Sequence, residues 1–190
     1  FAVAVMSFMS TLDSSIINVA LPLMQQALPV DGTAIQLVSS AYLISLCMTV
    51  LVFGRLGDIF GKVRFFQFGV ALFTVGSLLC GLSTTFPMLV ISRVLQGVGG
   101  SSALATNMGI VTEIFPASER GRALGIVSTF ISLGLMCGPV LGGVLIAYFP
   151  WEAIFLINVP IGVIAFGAGV MTLPRDTAYV SSERPRFDVL

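Results

Sequence analysis

Gly54-Arg55-Leu56-Gly57-Asp58-Ile59-Phe60-Gly61-Lys62-Val63-Arg64 is a charged, glycine-punctuated stretch between two long apolar runs. Four of its eleven positions carry charge, in a chain of 190 residues with only 9% charged residues. Gly54, Gly57 and Gly61 permit close backbone approach and sharp turning. Lys62 and Arg64 stand where the next apolar run begins, which places this loop on the cytoplasmic side of a membrane.

The sequence around it fits that reading. Hydrophobic residues make up 56% of the chain, and the mean hydropathy is +1.04. A soluble domain would carry about 25% charged residues. Apolar runs of roughly 18 residues or more point to an all-α polytopic membrane protein. The alternating segments of about 10 residues that a transmembrane barrel needs are not visible. Zero net charge gives no case for nucleic acid as a partner. Cys47, Cys80 and Cys137 lie in three different apolar runs without metal-ligand spacing, and read as small packing residues. No metal site is expected. The chain has no histidine, so a proton carrier would have to be a carboxylate. It begins at Phe1 without a charged leader, which reads as a truncated start rather than a cleavable signal.

Six spans are predicted, over 1–28, 35–56, 65–82, 88–111, 123–148 and 154–173. Pro22 and Pro29 bracket the outer end of the first, and Asp31-Gly32 makes the outer turn. Residues 83–87 form a second outer turn. Residues 112–120 form a second cytoplasmic loop, with Ser118 as N-cap of the following helix. Residues 149–152 make the third outer turn, with aromatics at the interface. Pro174 stops the sixth span. Residues 1–174 read as one six-helix bundle, and 175–190 as a cytoplasmic tail or linker. Arg55, Lys62, Arg64, Arg120, Arg122, Arg175, Arg184 and Arg186 all fall on one side, and the outer turns carry no cation. Both ends are therefore expected in the cytoplasm, in a multi-pass cell-membrane protein.

Only Asp13 and Arg93 lie well inside predicted spans. Each costs about 2.5–3.5 kcal/mol at a helix centre, so such residues face a cavity or a partner and are functional candidates. An apolar surrounding disfavours a charged carboxylate and a nearby cation favours it. A movement that alters the distance from Asp13 to a cation would thus load and release a proton. Whether Arg93 is that cation is open at this point, as is a purely structural carboxylate. In the fourth span Arg93, Gly97, Gly100, Leu104 and Asn107 fall within about 40° of one line, flanked by Gln96, and this stripe is expected to face the bundle interior. The glycines there read equally well as packing residues. In the fifth span Gly134, Gly138 and Gly142 are four apart, a face for close helix contact. Pro139 frees the carbonyl of Leu135 and favours a kink. Lys62, with Asp58 and Glu113, would form a cytoplasmic latch; the alternative is a solvated loop that only sets topology.

Taken together, these pieces resemble the amino-terminal half of a major facilitator superfamily transporter. Gly54 to Lys62 resembles that superfamily's loop between spans two and three. Arg93-Val94-Leu95-Gln96-Gly97-Val98-Gly99 resembles its fourth-span motif, and Gly138-Pro139-Val140-Leu141-Gly142-Gly143 the fifth-span motif associated with antiporters. Residues 12–22, Leu-Asp-Ser-Ser-Ile-Ile-Asn-Val-Ala-Leu-Pro, resemble the first-span motif of the fourteen-span drug:proton antiporters, and 151–162 resemble the opening of their sixth span. Ile59 and Val63 depart from the pattern where basic residues are frequent, and Glu152 where Arg is common.

The resemblance implies a six-helix bundle built as a 3+3 inverted repeat, with substrate bound between two halves. Asp13, Arg93, Asn18 and Gln96 would serve proton coupling or substrate. Gly54, Asp58, Gly61, Lys62 and Glu113 would form the cytoplasmic gate. Gly134, Gly138, Pro139, Gly142 and Gly143 would govern exchange. The implied activity is proton-driven efflux of small hydrophobic or cationic compounds, with a proton gradient and no cofactor. Its partners would be substrate, protons, the bilayer and a missing carboxy-terminal half. A nutrient uniporter or importer of the same fold is the first alternative, and a non-transporting scaffold or sensor the second. No nucleophile–base pair or phosphate loop suggests an enzyme.

Overall fold

A computed structural model describes residues 1–28 and 30–174. Eight helical segments follow one another: α1 (Ala2–Ala27), α2 (Gly32–Ile35), α3 (Leu37–Phe60), α4 (Lys62–Gly81), α5 (Phe86–Ile114), α6 (Ala117–Tyr148), α7 (Ala153–Leu156) and α8 (Asn158–Thr172). The short α2 and α7 extend α3 and α8, giving six helices long and apolar enough to cross a membrane. The predicted tail over 175–190 and the bracketing Pro29 lie outside the described residues.

The helices run further than the sequence suggests. The Gly54–Arg64 stretch is helical through Phe60 and again from Lys62, so the break is one residue wide. Gly61 supplies it with φ 112°, a positive value that side chains disfavour. The connection expected over 112–120 shrinks to Phe115-Pro116, and Pro116 precedes the first turn of α6. Ser118 is therefore inside the helix and not its cap; Pro at that position stops the preceding helix by itself. Pro22 lies within α1, five residues before the helix ends at Ala27. Trp151 turns inward, buried edge-on against Phe155 at 6.3 Å, while Tyr148 and Phe149 remain exposed.

Helix α5 is sandwiched between α3 and α4, and α4 also packs on α8. Helix α6 packs chiefly on α1. Two apolar clusters fill the interior. One contains Met6, Met9, Tyr42, Phe66, Phe73 and Ile110. The other contains Ile16, Ile17, Val38, Leu89, Trp151 and Phe155. Along α1, α4 and α5 the same gap separates them, and Asp13, Ser77, Arg93 and Gln96 occupy it.

The α1–α6 contact depends on glycine. A Cβ at Gly138 would stand 2.5 Å from Ser15 Cβ, one at Gly142 2.9 Å from Ile16 Cγ1, and one at Gly134 2.7 Å from the Phe8 carbonyl oxygen. The four-residue spacing thus meets α1 along one line. Gly143 does not belong to it: nothing lies within 4 Å of a Cβ there, because it is turned about 100° from Gly142.

Candidate functional site

Asp13 is the twelfth of the 26 residues of α1, at mid-helix, and is fully buried. Its carboxylate accepts from three side chains on two helices, α5 and α8. Arg93 Nη1 donates to Oδ2 at 2.6 Å. Gln96 Nε2 donates to Oδ1 at 2.9 Å, and Asn158 Nδ2 donates to the same oxygen at 2.7 Å. Asp13 and Arg93, the two charges placed inside spans by the sequence, form one buried ion pair.

Arg93 is held from every side. Nη1 also donates to Gln96 Oε1 at 2.6 Å, and Nε to the Val38 carbonyl at 3.1 Å. Its guanidinium carbon lies 4.4 Å from the centre of the Tyr42 ring and 5.6 Å from that of Phe155, so the aromatic faces complete its surroundings. Gln96 Nε2 donates in addition to Ser77 Oγ at 2.6 Å, and the Cys80 thiol lies 3.7 Å from Gln96 Oε1. The layer therefore ties α1, α3, α4, α5 and α8 together, with charge-assisted hydrogen bonds at its centre.

Asn18 is not part of it. It is exposed and donates to the Ser14 carbonyl of its own helix at 3.3 Å. Five residues from Asp13, it points about 140° away around the helix. The fourth-span stripe also divides. Gly97 packs against Tyr42 and Ser45 of α3, Gly100 lies under the Tyr42 hydroxyl, and Leu104 is exposed. Asn107 is buried and donates to Ser7 Oγ at 3.0 Å. Asn107 and Leu104 line a cavity of about 100 Å³ between α1, α5 and α6, whose other walls include Val3, Met6, Ser7 and Val127.

At the break between α3 and α4 Lys62 pairs with Asp58 at 3.3 Å and with Glu113. Its stem crosses α5 at Gly109, where a Cβ would meet Lys62 Cδ at 2.5 Å. Gly57 gives close approach to α5: a Cβ there would stand 2.8 Å from Thr106 Cγ2. Gly54 has only an ordinary contact at 3.9 Å, so its lack of a side chain is not required. In α6, the Leu135 carbonyl that Pro139 leaves without an amide partner accepts from Ser15 Oγ at 3.0 Å. Helix α6 continues through Pro139.

Asn158, Ser77, Tyr42 and Gly109 were missed by the sequence reading. Asn158 carried a signal: it is the only polar side chain between Ile154 and Ile161. Ser77 and Tyr42 carried none.

The whole-chain comparisons agree with this architecture. The family model described as Major Facilitator Superfamily matches residues 3–189. The riboflavin transporter RibZ of Clostridioides difficile is 42% identical, over 96% of this chain and 40% of its own length. The tetracenomycin C resistance and export protein of Streptomyces glaucescens is 38% identical, over 90% and 32%. The putative multidrug resistance protein MdtD of Salmonella paratyphi B is 37% identical, over 98% and 39%. The chain thus spans well under half the length of these relatives. Among solved structures, a bacterial homolog of the human lysosomal transporter Spinster, in an inward-facing and occupied conformation, superposes with a TM-score of 0.81 at 17% identity. That match covers 94% of this chain and 45% of the other. On the family model and these relatives, the chain belongs to the Major Facilitator Superfamily, and its bundle corresponds to the amino-terminal half of a fourteen-span transporter.

Proposed function

We propose that the protein carrying this chain is a proton-coupled exporter of small hydrophobic or cationic compounds that works by alternating access, with Asp13 as the proton-binding group. The carrying observation is a single ion pair, Asp13 with Arg93, buried at mid-helix and surrounded by neutral donors. A buried pair of this kind contributes little net stability over apolar packing, and ionisable groups at this depth mark ion or proton pathways. Protonation of Asp13 removes the charge that Arg93 neutralises, so the two states favour different arrangements of α1 against α5. The mostly apolar cavity beside α1, with Ser7 and Asn107 as polar points, suits a small, largely apolar cargo. The likeness to a tetracenomycin C resistance and export protein supports outward transport.

In this reading, both ends of the segment are cytoplasmic, and the Lys62–Asp58–Glu113 cluster closes the cytoplasmic side against a second half. The fifth-span glycines set the contact along which α6 moves on α1. The test is efflux of ethidium, a lipophilic cation, from vesicles under an imposed proton gradient. Asp13→Asn should abolish gradient-driven efflux; undiminished efflux removes Asp13 from the mechanism. The likeness to a riboflavin transporter favours a second reading, uptake of a nutrient on the same fold. The direction of flux under the gradient decides between them. A scaffold with no transport would show no substrate-dependent proton flux in proteoliposomes.

A further inference from the structure

We infer that Asn158 is the positioning residue that accommodates the proton on Asp13, by turning its side-chain amide from donor to acceptor as the carboxylate becomes a carboxylic acid. The inference rests on Asp13 as the proton carrier and adds the group that makes carriage possible in a dry site.

A carboxylate only accepts hydrogen bonds, whereas a carboxylic acid has an O–H that must donate. Every side chain on Asp13 is at present a donor. To take up a proton, the site must offer an acceptor or leave a buried donor unpaired. Arg93 covers Oδ2 and has donors only, so the proton belongs on Oδ1. Gln96 cannot supply the acceptor. Its Oε1 accepts from Arg93, and its Nε2 donates to both Asp13 and Ser77. Turning it over would set its Nε2 against Arg93 Nη1, donor against donor, and take from the guanidinium its acceptor.

Asn158 is different. Its Nδ2 donates to Asp13 Oδ1, while its own Oδ1 is buried with no partner. A rotation of about 180° about the last side-chain bond, a torsion with a broad and roughly two-fold profile, places Oδ1 against the new O–H. One amide atom lacks a protein partner in either orientation, Oδ1 before the turn and Nδ2 after it. The only bond made or broken is the O–H of Asp13, with the proton drawn from and returned to solvent.

The other titratable groups around Asp13 are accounted for. Arg93 comes from α5. Tyr42 of α3 lies under the guanidinium, and its hydroxyl is shared with Ser10 at 3.1 Å. Cys80 of α4 is directed at Gln96. Helices α7 and α8 carry no titratable residue. The titratable residues of α6 lie near its ends, except Cys137, which is half-buried.

The test is the infrared difference spectrum between low and high pH of the full-length protein. A carboxylic acid carbonyl band that vanishes in Asp13→Asn reports Asp13. In Asn158→Leu, which keeps the volume and removes the acceptor, that band should move to higher frequency, as for an acid whose O–H has no partner. The wild-type protein labelled with ¹³C in its asparagine side chains provides a check that needs no Asn158 variant. One labelled amide carbonyl should move to lower frequency on protonation, and that change should be absent in Asp13→Asn. An Asp13 band unmoved by Asn158→Leu, or no Asp13-dependent change in the labelled amide, overturns the role of Asn158 alone. Absence of any Asp13 band overturns the proton carrier and this inference together.

Discussion

Asp13 and Arg93 are both fully buried and bonded to each other, so removing one strands the second as a buried charge. Breaking such a pair costs about 3–5 kcal/mol, whereas replacing both members by apolar residues of similar volume is often tolerated. Arg93→Met should therefore lower the melting temperature of the purified protein sharply. Asp13→Leu combined with Arg93→Met should recover part of the loss, and neither form should transport. Arg93→Lys keeps the charge but not the fork that reaches Asp13, Gln96 and Val38 together; it should fold better than Arg93→Met and still lose coupled transport. The two charges were legible in the sequence because an ionisable residue inside an apolar run has few explanations. Their pairing was not, since 80 residues separate them and only the bundle brings α1 to α5. Ser77 and Tyr42 were illegible for another reason. Serine and tyrosine are common in apolar helices, where serine most often bonds a carbonyl of its own helix.

At the scale of the helices, the contact of α1 with α6 carries the clearest predictions. Gly138→Val would push a side chain into Ser15, where Cβ atoms would already stand at 2.5 Å. Overpacking of this kind costs about 1–3 kcal/mol, and here it should also slow exchange by separating the helices. Gly143→Ala, which meets open space, should leave folding and transport within error of wild type. Thermal melts and transport rates of the two variants side by side check the pair. Ser15→Ala leaves the Leu135 carbonyl without its hydrogen bond, and should cost about 0.5–1.5 kcal/mol. The four-residue glycine spacing identified the face but not the helix it meets. The Gly54–Arg64 stretch was legible as a boundary, yet only Gly61 leaves the helix. Its other residues extend α3 and α4 beyond the apolar runs because charged side chains at helix ends still reach water.

At the scale of the molecule, α3 and α6 present wide apolar surfaces, with Met48, Leu51, Met136 and Val140 among their exposed residues. The bilayer and a second half of the transporter would cover them. The cluster of Lys62, Asp58 and Glu113 is partly exposed, so each pair is worth about 0–1 kcal/mol at most. Glu113→Gln should thus barely change the melting temperature. Its effect should fall on the balance of states, seen as a wider spin-label distance across the cytoplasmic ends of the full-length protein. The six-span architecture was legible almost entirely from apolar run length and cation placement, because a bilayer leaves few other solutions. The central claim is that the proton exchanged for substrate resides on Asp13. The most direct measurement is proton release into weakly buffered solution when ethidium binds the solubilised full-length protein. The account predicts release from the wild type and none from Asp13→Asn that retains ethidium binding. Equal release from both would contradict it.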